Sequence, residues 1–342
     1  MRKIAAAVAG MSLLLSLGAF TTASGSAGPV YAPVDRPGPA LRASHAALEA
    51  AVQCHGNFAG GKEAVLLVPG TFFTVDTQFS WSWGRALTLN GIPWCGVTPP
   101  QNSLGDVTVA GEYDVYAIRK TYHLAGNRPI AVVGHSQGAM RPRFALRFWP
   151  DTRHMVADLV SVAPDNQGAS VGAPRVIPPL LAAACTAIAC PQGIWQQLAG
   201  SKFIQALNSG QETFPGIDYT VVYSRNDGVV QPQDTVLHPA PGTAYHRIMI
   251  QSICPLEIAD HLENGSTDAV SWALIKDAIT HPGPAEASRI PKPVCTQLFF
   301  PGIDYARALG GALYAPLQFA QATITTPRST REAPLPAYVF AN

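Results

Sequence analysis

Short apolar runs alternate along the chain with longer stretches whose apolar residues recur at helical spacing. Apolar runs of this length, bounded by Pro, Gly or polar residues, are typical of buried strands. The pattern predicts strands at 63–69, 92–97, 130–133, 158–163, 218–224 and 244–253. It predicts helices at 43–54 (with Ser44 as N-cap), 106–124, 139–149, 267–280 and 304–319. Because strands and helices alternate, the sequence predicts an α/β fold with a mostly parallel central sheet and helices on both faces.

Three segments depart from this alternation and set the expected domain limits. Residues 1–27 begin with Arg2 and Lys3, continue with a short apolar stretch and end in small residues, which is the pattern of a secretory signal peptide. Residues 28–42 are rich in Pro and predict an extended leader. At about 167–210 the chain is apolar but lacks a strand pattern, which predicts a cap over a pocket or, alternatively, an ordinary packed excursion. A single domain at 43–320 and a tail at 321–342 complete the prediction.

The composition argues against two kinds of partner. Hydrophobic residues make up 47% of the chain and charged residues only 13%, with a net charge of +1. Because Lys and Arg form no cluster, neither nucleic acid nor an anionic membrane surface is an expected partner. No run after the signal segment is long and apolar enough to span a bilayer. We therefore expect a secreted, soluble monomer.

The chain contains six cysteines, which in an exported protein favour three disulfides. Fifteen pairings of six cysteines exist. Cys185 and Cys190 are near enough in sequence to close one short loop. A zinc site is the alternative, but there is no Cys-x-x-Cys pair and no His at ligand spacing from a Cys. We expect no metal and no organic cofactor.

The strand predicted at 130–133 runs into Gly134-His135-Ser136-Gln137-Gly138 and then into a helix. A Ser between two glycines at a strand-to-helix turn is the pattern of a nucleophile elbow, which presents the hydroxyl at the tip of a sheet. The glycines allow the unusual backbone angles of such a turn. The alternative is a glycine-rich turn in which Ser136 only caps the helix.

A Ser nucleophile needs an adjacent base and an acid that orients it, and in a fold with this elbow they follow in the order Ser, acid, His. Of the nine histidines, His261 fits best because it lies between the last strong strand and a helix, whereas His238 lies in a polar, Pro-rich loop. Asp227 fits best as the acid, because it follows the strand at 218–224 in a turn. Asp165 precedes the expected cap, and Asp260 should point away from its neighbour.

The negative oxygen of an ester-cleavage intermediate needs preorganised donors. One is usually the N–H of the residue after the nucleophile, here Gln137. The other should come from the loop after an earlier strand, which nominates Gly70 and Thr71.

With these residues the sequence resembles the Candida antarctica lipase B type of α/β-hydrolase. The resemblance spans roughly 43–278 and rests on several blocks in the same order. They are 65–71, Cys95 with 98–100, 136–138, 163–165 with Gly168, 195–197, 223–224 with Asp227, 230–233 and 260–261.

This resemblance implies an α/β-hydrolase fold with a cap or lid insertion, and roles for individual residues. Ser136, Asp227 and His261 would be nucleophile, acid and base, and Thr71 and Gln137 the oxyanion donors. The positions expected to contact the acyl group are Asp165, Gln197, Val229 and Val230. The implied disulfides are Cys54–Cys95 and Cys254–Cys295, which leave Cys185 and Cys190 for each other.

The sequence also departs from that family at the expected pocket. Phe72 and Phe73 stand where the family has small residues. His135 replaces the Trp that precedes the nucleophile in the yeast enzyme, so it is expected to contact the substrate and to change the selectivity for the alcohol. The C-terminal part is shorter and lacks the last family disulfide.

The sequence therefore predicts a secreted serine carboxylester hydrolase that acts on lipid-like esters, including esters at an oil–water interface. A polyester depolymerase of the cutinase kind and an acyltransferase are alternatives that would use the same three residues. A secreted binding protein that retains the fold is the alternative that is not an enzyme.

Overall fold

The structure is a computed structural model that describes residues 28–61, 63–170 and 177–341. The predicted signal peptide lies outside the described residues. Within the described ranges no helix is both long and apolar enough to cross a membrane. The strands are β1 (Val52–His55), β2 (Val65–Val68), β3 (Trp94–Val97), β4 (Ile130–His135), β5 (Val156–Val162), β6 (Cys190–Pro191), β7 (Asp218–Tyr223), β8 (Tyr245–Met249) and β9 (Arg328–Ser329).

Helices follow most of the strands and cover the sheet. They are α1 (His45–Ala50), α2 (Val75–Gln78), α3 (Trp83–Leu89), α4 (Val107–Leu124), α5 (Gln137–Met140), α6 (Pro142–Phe148), α7 (Ile177–Ile188), α8 (Gln192–Gln197), α9 (Lys202–Leu207), α10 (Ile250–Ile253), α11 (His261–Asn264), α12 (Ala269–Thr280) and α13 (Tyr305–Thr325).

A seven-stranded sheet in the order β1-β3-β2-β4-β5-β7-β8 forms the centre of the molecule. Adjacent strands of this sheet pair in parallel, except that β1 and β3 pair antiparallel. Alternate side chains of each strand enter one of two cores. Leu66 and Val132 pack on one face with α4 and α6, while Leu67 and Val133 pack on the other with α3 and α12. Burying one such side chain contributes about 1.5–3 kcal/mol, so both faces stabilise the fold. The predicted fold class is confirmed.

Two predicted elements end earlier than expected. The helix predicted at 43–54 begins after its N-cap Ser44 but ends at Ala50, because the next residues pair with β3 as the edge strand β1. Cys54 lies opposite Cys95 in that antiparallel pair, and the two form a disulfide. The strand predicted at 244–253 ends at Met249, where the pairing with β7 also ends, and continues as α10.

The helix after the elbow is divided at a proline. The chain forms α5 and then α6, with Pro142 at the first position of α6. A proline has no N–H, and at the first position of a helix that N–H would have no intrahelical acceptor. Pro142 therefore starts a second helix, where the sequence predicts one continuous helix over 139–149. Near the C-terminal end of the chain, α13 extends to Thr325, past the predicted domain limit at 320.

Three disulfides close loops in the described chain: Cys54–Cys95, Cys185–Cys190 and Cys254–Cys295. These are the pairs that the family resemblance implies.

The described part of the 167–210 insertion is fastened to residues 328–333, here called the tail segment. Strand β6 of the insertion pairs antiparallel with β9 of the tail segment. The indole N–H of Trp195 on α8 donates to the carbonyl of Ser329 over 3.0 Å. The carboxylate of Glu332 accepts from the N–H groups of Lys202 and Phe203, each at 2.8 Å, at the start of α9. Backbone and side-chain bonds thus join two regions that are far apart in sequence.

Acidic side chains meet at the N-terminal edge of the sheet and make the stability dependent on pH. Burial raises the pKa of Asp158 to about 8 and that of Glu63 to about 7, and the two carboxyl groups hydrogen-bond each other. In an unfolded chain both groups lose their protons at about pH 4. The folded state therefore holds protons that the unfolded state releases, so stability falls as pH rises from about 4 to about 8.

We expect the free energy of unfolding, measured by urea denaturation, to decrease between pH 5 and pH 8. In Asp158→Asn this decrease should be smaller, because Glu63 no longer shares its site with a second carboxyl group. Asp151→Asn, which changes a carboxylate that is paired with Arg119 at the surface, is the control and should keep the wild-type slope. Equal slopes in Asp158→Asn and wild type would contradict the prediction.

Candidate active site

Ser136 lies at the turn between β4 and α5, with φ 56° and ψ −130°. Its N–H donates to the carbonyl of Val162 over 2.9 Å, which holds the turn against β5. Both flanking positions must be glycine, because a side chain would clash with neighbouring backbone atoms. A Cβ on Gly134 would lie 2.0 Å from the carbonyl oxygen of Gly138, and one on Gly138 would lie 2.2 Å from that of Val68. The strained turn therefore depends on this motif, as the sequence predicts.

His261 lies between Ser136 and Asp227. Its Nε2 is 3.0 Å from the Ser136 hydroxyl oxygen, and its Nδ1 is 2.7 Å from Oδ2 of Asp227. All three residues are buried, with 8%, 5% and 4% of the surface of Ser136, His261 and Asp227 exposed. The strand ends bring together three residues that are 125 and 34 positions apart in sequence.

Backbone donors hold the Asp227 carboxylate in place. Its Oδ1 accepts from the N–H of Val229 at 2.9 Å and from that of Val230 at 2.8 Å. Oδ2 is therefore left to accept from His261. The two backbone bonds thus fix the orientation of the carboxylate relative to the imidazole.

The other candidates for base and acid make no hydrogen bond to the His261 ring or to the Ser136 hydroxyl. His238 is exposed and pairs with Glu212. Asp260 caps α11 and accepts from the N–H groups of Leu262 and Glu263. Asp165 is buried, its two carboxyl oxygens have no hydrogen-bond partner, and burial raises its pKa to about 7.

Thr71 and Gln137 lie beside Ser136 as the sequence predicts. Gln137 is the first residue of α5, and the first N–H groups of a helix have no intrahelical acceptor. Its side-chain amide donates to the Thr71 hydroxyl at 3.2 Å and to the Ser103 carbonyl at 2.9 Å. The Thr71 hydroxyl in turn donates to Oε1 of Gln197 over 3.0 Å. Sequence reasoning missed Ser103, which lies with Gln101 and Asn102 in a run of positive φ angles that no glycine marks.

A cavity of about 340 Å³ opens above Ser136 and His261. Its wall includes Gln197, Val229 and His135 from the predicted substrate-binding set, but neither Asp165 nor Val230. Asp165 and Val230 are buried, with 1% and 2% of the residue exposed, and Val230 supports the acid through its N–H. Their contact with the acyl group stays a prediction.

Three aromatic side chains also line the cavity. Phe72 and Phe73, which follow Thr71, contact Phe319 of α13, with ring centroids 4.9 and 5.2 Å apart. The helix predicted at 304–319 thus contributes to the cavity wall. The sequence marks the two adjacent Phe residues as unusual, but it does not show that their partner lies near the end of that helix.

His135 forms part of the wall but has no free ring nitrogen. Its Nδ1 accepts from the amide of Gln78 at 2.7 Å, and its Nε2 donates to the carbonyl of His261 at 2.9 Å. Burial and the neighbouring His261 lower its pKa well below the usual value, so the ring stays neutral. The prediction that His135 contacts substrate is therefore limited to van der Waals contact.

The sheet, the elbow and the hydrogen-bonded residues Ser136, His261 and Asp227 define an α/β-hydrolase fold. Solved structures agree: lipase B of Aspergillus fumigatus has a TM-score of 0.78 at 26% identity, covering 89% of this chain and 74% of that one. A Bacillus licheniformis lipase in its propeptide form has a TM-score of 0.50 at 13% identity, covering 69% of this chain and 54% of that one, and shows the fold alone.

The chain is similar in sequence to lipase B. It is 31% identical over 229 residues to lipase B of Pseudozyma (Candida) antarctica, which covers 65% of this chain and 64% of that relative. This chain thus spans somewhat less than two thirds of the relative's length. The family model for lipase (class 2) matches residues 118–249. The resemblance inferred from the sequence motifs is confirmed.

Proposed function

We propose that the protein is a secreted serine carboxylester hydrolase, a lipase or esterase, that acts on lipid-like esters. The observation that carries this proposal is the hydrogen-bonded series from Ser136 through His261 to Asp227 beneath an apolar cavity. The similarity of the chain to lipase B and to the class 2 lipases supports the same chemistry. Three disulfides fit an oxidising compartment and support secretion.

The geometry supports the following reaction. His261 Nε2 takes the proton of Ser136 as its hydroxyl oxygen attacks the ester carbonyl, and Asp227 stabilises the resulting imidazolium. The N–H of Gln137 and the N–H and hydroxyl of Thr71 stabilise the negative oxygen of the tetrahedral intermediate. His261 then donates its proton to the leaving alcohol. Water, deprotonated by His261, attacks the acyl-enzyme, and the acid and free Ser136 are released.

Apolar residues around the cavity mouth support a lipid-like substrate. Val229 and Leu262 line the cavity and are 42% and 48% exposed. Leu256 and Ile258, in the loop before His261, are 92% and 81% exposed. Exposed apolar residues that are grouped near a binding site suit contact with an oil–water interface.

The test of the proposed function is covalent labelling together with an ester series. A fluorophosphonate should label the peptide that contains Ser136, and the enzyme should hydrolyse nitrophenyl esters and triglycerides offered below and above their solubility limits. Absence of both labelling and hydrolysis would overturn the proposal and favour the binding protein. Preferential transfer to an added alcohol would indicate the acyltransferase, and release of products from insoluble polyester the depolymerase.

The contact of Phe319 with Phe72 and Phe73 is expected to limit the length of the acyl chain that fits the cavity. Removing the Phe319 ring in Phe319→Ala enlarges the cavity, so kcat/KM for laurate esters should rise about three- to tenfold relative to butyrate esters, within the usual energy of a few buried methylenes. The matched control is Phe299→Ala, because Phe299 contacts Tyr305 and does not line the cavity. The prediction fails if both variants keep the wild-type ratio.

A further inference from the structure

We propose that Gln78 and His135 are positioning residues that join the loop of the oxyanion donors to the backbone of the catalytic base, behind the nucleophile. The inference rests on the proposed function of Ser136 and His261. It concerns two buried residues outside the three-residue series, one of which, His135, also forms part of the cavity wall.

The side-chain amide of Gln78 makes three hydrogen bonds that lie on both sides of the site. Its Oε1 accepts from the N–H of Gly70, the residue before Thr71, at 3.0 Å. Its Nε2 donates to Nδ1 of His135 at 2.7 Å and to the carbonyl of Gly265 at 3.2 Å. Since 2% of Gln78 is exposed, water cannot replace these partners.

His135 continues the connection from Gln78 to the base. With Nδ1 accepting from Gln78, Nε2 carries the hydrogen and donates to the carbonyl of His261. One neutral tautomer satisfies both contacts. The ring also lies near that of His261, with centroids 4.6 Å apart.

Close backbone contact makes the arrangement rigid. A Cβ on Gly265 would lie 2.1 Å from the His135 ring, so this glycine lets the ring lie directly against the backbone after α11. A Cβ on Gly70 would lie 3.1 Å from His135 Nδ1 and 3.2 Å from Cβ of Ser136. Gly70 therefore packs against both the nucleophile and the residue that precedes it.

Asp227 fixes the imidazole of His261 from one side, and His135 fixes the backbone of the same residue from the other. Gln78 makes the position of that backbone depend on the position of the Gly70–Thr71 loop. A displacement of about 1 Å in a catalytic group costs about a hundredfold in rate. Loss of the connection should therefore lower kcat while leaving substrate affinity nearly unchanged.

The experiment compares Gln78→Leu, His135→Phe and the double variant with wild type. Gln196→Leu is the matched control, because Gln196 is also a buried glutamine but bonds Val107 and Asp106 at the start of α4. Each variant is titrated with a fluorophosphonate, so that kcat and KM for nitrophenyl butyrate refer to labelled sites. Thermal denaturation reports the stability of all four.

We expect kcat per labelled site to fall about ten- to a hundredfold in both single variants. KM should stay within about twofold of wild type in Gln78→Leu, because Gln78 does not line the cavity. The double variant should lose little more than one single variant, because residues of one network are not additive. Gln196→Leu should lower the denaturation temperature but keep the wild-type kcat per site.

Two results would overturn the inference, and they differ from failure of the proposed function. If Gln78→Leu and His135→Phe keep kcat per site within threefold of wild type, the two residues do not position the site. If Gln196→Leu loses as much kcat per site as they do, the effect is one of general stability. If wild type is neither labelled nor active, the proposed function itself fails and the inference falls with it.

Discussion

The Asp227→Asn variant is expected to lose about ten-thousandfold in kcat, with KM little changed. Oδ2 of Asp227 accepts from Nδ1 of His261 at 2.7 Å, while Oδ1 is held by two backbone N–H groups. In Asn the carbonyl oxygen would keep those backbone donors and turn the NH₂ group toward Nδ1. His261 would then carry its hydrogen on Nε2, where it cannot accept the proton of Ser136.

Two other variants test whether the effect is specific to the acid. Asp165→Asn and Asp260→Asn should remain folded and keep much of the activity, because neither carboxylate accepts from His261. Steady-state kinetics on a soluble nitrophenyl ester, normalised by active-site titration, measures all three. If Asp165→Asn lost more activity than Asp227→Asn, the assignment of the acid would be wrong.

The Thr71→Val variant is expected to lose about a hundred- to a thousandfold in kcat, the usual effect of removing one oxyanion donor. Valine has nearly the shape of threonine, so the change removes the hydroxyl and little else. In the structure that hydroxyl donates to Gln197, and to stabilise the intermediate it must turn toward the oxygen that develops above Ser136.

Thr71→Ser is the matched control, since it keeps the hydroxyl and removes one methyl group. It should stay within about tenfold of wild type, because the donor is retained. Both variants are compared by kcat and by the rate of fluorophosphonate inactivation, which depends on the same donors. Wild-type kcat in Thr71→Val would mean that backbone N–H groups alone stabilise the oxyanion.

Much of the fold could be predicted from the sequence because parallel strands buried on both faces are continuous apolar runs. Strand β4 is of this kind, and helix α4 has apolar residues at helical spacing; both lie where the pattern predicts them. Strand β1 was missed because its four residues follow a helix directly, and pairing with β3 decides its conformation. Tertiary pairing outweighed a local helical pattern there.

The main residues of the site could also be predicted, because chain order and strand ends restrict the choice of acid and base. The contacts around these main residues could not be predicted from the sequence. Gln78 reaches His135 over 57 positions, and Phe319 reaches Phe72 from a helix near the other end of the chain. No local pattern marks such partners, since their roles depend on how loops from separate strands converge.

The pairing of β6 with β9 has a consequence for how substrate enters. Strand β6 precedes α8, which carries Gln197 on one wall of the cavity, and β9 follows α13, which carries Phe319 on another. This short two-stranded pair therefore joins the two walls of the cavity. Widening the entrance by moving one wall away from the other therefore requires the pairing between β6 and β9 to break.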